Sequence, residues 1–174
     1  MLYTILNYFG QFAPIILFLI SLYLLLDKDT LFFYYIFGIF TNSLLNLILK
    51  GIIQQPRPLD DEKLFHLALK NANKDVFKNG IPFNVFGMPS GHAQSVIFST
   101  VFIYLALKNT KILLFYLTVS VFTMFHRIYN NYHTWFQVII GDIVGGLFGF
   151  LIFFLSQQKL KGKIREKKDD YGPI

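Results

Sequence analysis

Residues 31–49 read LFFYYIFGIFTNSLLNLIL, nineteen consecutive positions without a charge, and Lys50 follows. A run of this length is close to the roughly 20 residues a helix needs to cross the hydrocarbon core of a bilayer. Within it Asn42, Asn46 and Lys50 recur every four residues. On a helix they share one face, which is expected to point into a bundle rather than at lipid. Hydrogen bonding between helices is the simpler role for the two asparagines.

The composition of the whole chain supports a membrane setting. Of 174 residues, 54% are hydrophobic, 18% aromatic and only 15% charged, which is more apolar surface than a soluble core of this size could hide. No linker or low-complexity stretch divides the chain, so residues 1–174 are expected to form one domain, with 159–174 as a basic tail. Cysteine is absent, which excludes disulfides and thiolate zinc sites. The net charge is +6, but the basic residues lie between apolar runs and in the tail rather than along a folded stripe, which argues against nucleic acid as a partner. The uncharged N-terminus lacks the basic leader of a signal peptide and reads as mature structure.

Working outward from 31–49, the pattern predicts an all-α integral membrane bundle of about five transmembrane helices. A first span closes at Asp27-Lys28-Asp29; residues 1–11 are either its beginning or an interfacial segment. The third, fourth and fifth run over about 89–107, 112–126 and 134–156, the last interrupted only by Gln137 and Asp142. Gly141, Gly145 and Gly149 form a small-residue stripe that lets helices approach closely. An intramembrane carboxylate is expensive to bury, so Asp142 is expected to bond Asn42, Asn46 or a neighbouring helix, a contact with His133 being the lesser alternative. Residues 51–86 form the one long polar connection. There Leu64, Phe65, Ala68 and Leu69 predict a short amphipathic helix at the interface, beside the acidic cluster Asp60-Asp61-Glu62 and a surface His66.

Three polar islands edge the apolar runs: Lys50 with Arg57-Pro58, Pro89-Ser90-Gly91-His92, and Arg127 with His133. Singly, each reads as charges snorkelling from a helix end. With five spans, however, the end of the second, the start of the third, the end of the fourth and the start of the fifth all lie on one side. Lys50, Arg57 and Arg127 then stand beside His92 and His133, a set suited to a doubly charged phosphate, with Ser90 and Gly91 at a helix start able to hold an anion. No carboxylate cluster or His/Asp set with metal spacing accompanies them, so neither a catalytic metal nor another cofactor is expected. Lys28, Lys108, Lys111, Lys159, Lys161, Lys163, Arg165, Lys167 and Lys168 fall on the opposite side. By the positive-inside tendency the tail is cytoplasmic and the islands face outward or into a lumen, that of the endoplasmic reticulum for a eukaryotic or viral chain.

In this order and spacing, the three islands resemble the signature motifs of the type 2 phosphatidic acid phosphatase superfamily, over residues 50–137. The resemblance implies a metal-independent membrane phosphatase with a phosphohistidine intermediate. By position, His133 would be the nucleophile and His92 the general acid; Lys50, Arg57, Ser90, Gly91 and Arg127 would cradle the phosphate. The family usually has Ser before the arginine and Asp four residues after the nucleophilic histidine, where this chain has His126 and Gln137. A carboxylate there would orient the imidazole and stabilise imidazolium, whereas an amide can only orient it. The sequence from Tyr132 to Val138, with Gly141 beyond and Phe86-Gly87-Met88-Pro89 before the serine, looks like the dolichyl diphosphatase branch, so Gln137 reads as a mark of that subfamily.

The expected substrate is therefore a lipid phosphate held in the bilayer, foremost a polyprenyl (dolichyl) diphosphate. A phosphatidate or sphingolipid-phosphate phosphatase is the nearest alternative. From a different class, Gln137 and His126 motivate an inactive phosphate-binding membrane protein. A transporter lacks the inverted repeat expected of one. A soluble sugar phosphate fits less well than a lipid, and the vanadium haloperoxidases that share these motifs are soluble.

Overall fold

The computed structural model describes residues 2–58, 66 and 86–164, with side chains from Asn7 onward. Five helices follow one another: α1 (Leu2–Leu25), α2 (Asp29–Ile53), α3 (Gly91–Leu107), α4 (Thr110–Tyr129) and α5 (Trp135–Leu160). No strand occurs among the described residues; one isolated bridge joins Pro56 to Phe86. The expected interfacial helix, the acidic cluster and the tail beyond residue 164 lie outside the described residues.

Local chemistry sets the helix ends. Asp29 lies in the first turn of α2 and Lys50 in its last, each complementing the helix dipole. Asn109 caps α4, its Oδ1 accepting from the backbone N–H groups of Lys111 (2.9 Å) and Ile112 (3.2 Å). Thr134 caps α5 in a reciprocal box with Gln137. Helix α1 is continuous through Pro14, so residues 2–11 are part of the first helix, whose apolar span runs over Asn7–Leu25. Helices α1, α2, α4 and α5 are long and apolar enough to cross a membrane, whereas α3 is a shorter apolar helix of 17 residues.

Helix α3 touches all four others and forms the centre of the bundle. Its Phe98 and Phe102 pack with Tyr35 of α2 into a buried aromatic cluster. Hydroxyl pairs tie the helices together: Tyr35 to Ser99 (2.8 Å), Ser21 to Tyr116 (2.9 Å) and Thr100 to Ser120 (3.0 Å). Such bonds, with close packing at small residues, hold helices together where lipid removes the hydrophobic drive. The glycine stripe supplies that packing: a Cβ on Gly145 would run into the carbonyl of Gln94, and one on Gly149 would lie 2.8 Å from that of Phe98. The outer faces carry Leu19, Tyr23, Phe33, Phe40, Val121 and Leu147, all exposed, an apolar perimeter that only a bilayer solvates.

The register also sets depth. The carbonyl of Pro89 accepts from Asn46, and Ser90 lies against Gly141. Both partners sit well inside their helices, so at 1.5 Å per residue α3 begins about 9 Å below the ends of α2 and α5.

Candidate active site

Backbone bonds knit the three polar islands together at one end of the bundle. After α2, Gln54 adopts a left-handed conformation (φ 49°) and turns the chain across the bundle. The carbonyl of Gln55 accepts from Gly87 N–H at 2.7 Å, Lys50 Nζ donates to the Phe86 carbonyl at 3.0 Å, and Ser90 N–H donates to the Gln137 carbonyl at 3.0 Å. The Met88–Pro89 peptide bond is cis. At Gly87 a side chain would displace the Gln137 amide, because a Cβ would lie 2.6 Å from Gln137 Oε1.

The turn between α4 and α5 sets His133. Asn131 takes a positive φ of 54°, a conformation that Asn tolerates better than most residues. The N–H groups of Tyr132 and His133 then both reach the Arg127 carbonyl, at 3.0 and 3.3 Å. The Arg127 guanidinium lies over the Tyr132 ring, 4.2 Å from its centroid, a cation–π contact.

Gln137 joins these pieces. Its Oε1 faces His133 Nδ1 and the N–H of Thr134, both at 3.2 Å; its Nε2 faces Gln55 Oε1 at 3.0 Å and the Pro56 carbonyl at 2.8 Å. The backbone fixes which end is which, since a carbonyl can only accept and an N–H can only donate. Gln137 Oε1 is thus an acceptor toward His133, so Nδ1 carries the proton and Nε2 of the neutral ring keeps its lone pair. His133 is buried. That burial, followed by the charges of Arg57, Arg127 and Lys50, pushes its pKa down to about 3, against a smaller upward pull from the Gln137 bond. A neutral imidazole with a free Nε2, ringed by three cations, can attack an anionic phosphorus centre.

Lys50, Arg57 and Arg127 interact electrostatically with one another as well as with His133. Ser90 is fully buried at the N-cap of α3, and its hydroxyl neither caps the helix nor finds another partner among the described residues. The helix ladder starts with Gln94 N–H bonding the Ser90 carbonyl, leaving the N–H groups of Gly91, His92 and Ala93 without intrahelical partners. His92 lies on the α1 side within electrostatic reach of Arg57 and Arg127, its Nε2–H donating to the Gln11 carbonyl at 3.0 Å. In the neutral ring its Nδ1 is then the open position.

Two readings of the sequence need correcting or completing. Asp142 does not bond the asparagines. Gln94 of α3 fills that seam instead, donating to Asn42 Oδ1 (2.8 Å) and carbonyl (2.9 Å) and accepting from Asn46 Nδ2 (2.8 Å). Asp142 follows Gly141, whose face meets α3, and is rotated off that face; its Oδ1 has no partner among the described residues. His126, which stands in place of the usual serine, bonds Asn7 Oδ1 of α1 through Nε2 at 2.7 Å and packs on Gly10. Gln11, Gln55 and Gln94 were not singled out from sequence. For Gln94 a signal existed, since it lies one turn after Ser90 on the same face.

Residues 31–161 match the model of the PAP2 superfamily, the type 2 phosphatidic acid phosphatases, and the chain belongs to that superfamily. It is an integral membrane protein of that class. Among its relatives, human dolichyldiphosphatase 1 is 30% identical over 139 residues, 71% of this chain and 52% of its own. The dolichyldiphosphatase of Saccharomyces cerevisiae is 34% identical over 129 residues, 68% and 49% of the two chains. Lipid phosphate phosphatase epsilon 1, chloroplastic, of Arabidopsis thaliana is 30% identical over 146 residues, 79% and 45%. The chain thus spans about half the length of the curated relatives it matches. No solved structure matches it.

Proposed function

We propose that this protein is a membrane lipid phosphatase that hydrolyses a polyprenyl diphosphate of the dolichyl type through a phosphohistidine intermediate. The observation that carries the reading is His133, neutral, protonated at Nδ1 and open at Nε2, among Lys50, Arg57 and Arg127. The dolichyldiphosphatase relatives support the substrate class.

In the first step the Nε2 lone pair forms an N–P bond to the terminal phosphorus as the P–O bond to the lipid phosphate breaks. His92, held by the Gln11 carbonyl at Nε2, takes up a proton at Nδ1 as the anionic substrate binds and gives it to the leaving oxygen. Water then attacks the phosphorus and returns a proton to His92 Nδ1, while the N–P bond breaks and inorganic phosphate leaves. The three cations, the Ser90 hydroxyl and the free N–H groups from Gly91 onward stabilise charge on the equatorial oxygens. The site opens on the non-cytoplasmic side, a reading supported by the basic residues at the opposite end.

A lipid monophosphate substrate is the second reading, favoured by the similarity to the lipid phosphate phosphatase of Arabidopsis thaliana. The test is phosphate release by purified protein from polyprenyl diphosphate, polyprenyl phosphate and phosphatidate, for wild type, His133→Ala and His92→Ala. Polyprenyl diphosphate is expected to turn over fastest. His133→Ala should lower kcat by at least about a thousandfold, and His92→Ala by about a hundredfold or more. Equal release by all three proteins would remove the catalytic reading and leave a phosphate-binding membrane protein.

A further inference from the structure

The Gln137 amide could in principle present either end to His133, and only one end leaves Nε2 free to react. The Thr134 N–H donates to Oε1 at 3.2 Å and favours that end toward His133, and two acceptors on the other side hold the amide there: the Gln55 side chain at 3.0 Å and the Pro56 carbonyl at 2.8 Å. Each takes one hydrogen of the Nε2 amide, which uses both donors and turns Oε1 toward His133. Gln55 is itself held, because its carbonyl accepts from Gly87 N–H at 2.7 Å. A carboxylate at 137 would meet this pair differently. One of its oxygens would face the Pro56 carbonyl with no proton between them, and Pro56 has no N–H to offer in exchange. Gln55 could turn its own amide to donate, but the backbone carbonyl could not.

We propose that Gln55, acting with the Pro56 carbonyl, is a positioning residue that locks Gln137 and through it the tautomer of His133, and that this pair makes position 137 selective for an amide over a carboxylate. The proposal rests on the reading of His133 as nucleophile. It accounts for the departure from the family's usual aspartate as a matched substitution: the amide at 137 and the acceptors at 55 and 56 require one another. It also links the segment that carries Arg57 to the segment that carries the nucleophile, since Gln55 and Pro56 immediately precede Arg57.

The test uses the full chain purified in detergent and assayed with polyprenyl diphosphate. Loss of the correct tautomer lowers kcat by about 10⁴ in serine proteases; with Pro56 still in place, Gln55→Met is expected to lower kcat at least about tenfold while KM stays within about twofold. Gln55→Glu retains an acceptor for the amide and should recover most of that loss in kcat, any effect of its charge on substrate binding appearing in KM. Gln137→Glu should fall at least as far as Gln55→Met. Should Gln55→Met not fold, the Gln55→Glu and Gln137→Glu pair reads the same lock. A Gln55→Met kcat within twofold of wild type, a Gln55→Glu kcat as low as that of Gln55→Met, or a Gln137→Glu enzyme as fast as wild type would each overturn the proposal. If His133→Ala abolishes release while Gln55→Met is silent, the lock alone fails; if His133→Ala releases phosphate normally, the underlying reading fails.

Discussion

At the scale of single residues, His133, the proposed nucleophile, would connect catalysis to stability. Its folded-state pKa of about 3 lies below the ordinary value of 6.5. Between those values the unfolded chain takes up a proton that the native state refuses, so this residue's contribution to stability is complete above pH 6.5 and declines as pH falls toward 3. In detergent without phosphate, the thermal midpoint of wild type is therefore expected to drop more between pH 7 and pH 5 than that of His133→Gln. Parallel pH curves would show that the ring does not stay neutral in the fold. Most of the residues involved were legible in the sequence, because the three islands carry charged and titratable groups at fixed local spacings. Their partners were not. The Gln137–Gln55 bond spans 82 positions and the Gln94–Asn42 bond 52, and glutamines that bond across such separations leave no periodic trace. The assignment of Asp142 to the asparagine seam failed for the same reason: spacing gives the face of a helix, but not which neighbour fills it.

At the scale of helices, charged breaks and caps marked four of the five helices closely; for the first they marked the end at Asp27-Lys28-Asp29 but not the start, because α1 runs unbroken through Pro14 from Leu2. The glycine stripe on α5 was legible as a close-packing face, although not that α3 supplies the opposing backbone. Its three glycines contrast with Gly146, which neighbours them in sequence but sits over open side chains. A Cβ at 146 would lie 3.5 Å from Ile97, an ordinary contact, whereas one at 145 would strike the Gln94 carbonyl. Gly145→Ala is thus expected to destabilise the bundle by about 1–3 kcal/mol, because backbone cannot yield as a flexible side chain can. Gly146→Ala should be nearly neutral and serves as its control. Thermal melts of the two variants in one detergent check this; equal midpoints would mean that α3 and α5 do not meet along this stripe. Gln94 lies next to the Ser90 end of α3, so Gly145→Ala should also lower phosphate release more than Gly146→Ala does.

At the scale of the whole molecule, alternation of five helices places the starts of α1, α3 and α5 at the same end as the finishes of α2 and α4. The bonds from Asn7 to His126 and from Gln11 to His92 agree with that arrangement. Because the chain has no cysteine, single replacements report sidedness cleanly. In sealed vesicles of known orientation, a membrane-impermeant maleimide is expected to label Lys111→Cys from the cytoplasmic side and Tyr129→Cys from the other, both positions being exposed. Labelling of both from one side would contradict the alternation, and reversed labelling would place the tail outside.

The depth at which α3 begins has a consequence for what the protein can accept. A headgroup anchored to a hydrocarbon chain already sits near the boundary between water and oil, and it can settle into a floor about 9 Å down without its tail leaving the leaflet. A freely dissolved ester must instead shed much of its hydration shell to descend between the same helices, with no tail buried in return. On the function proposed above, the short central helix would act as a sill, favouring molecules that arrive sideways through the bilayer over those that arrive from the aqueous phase.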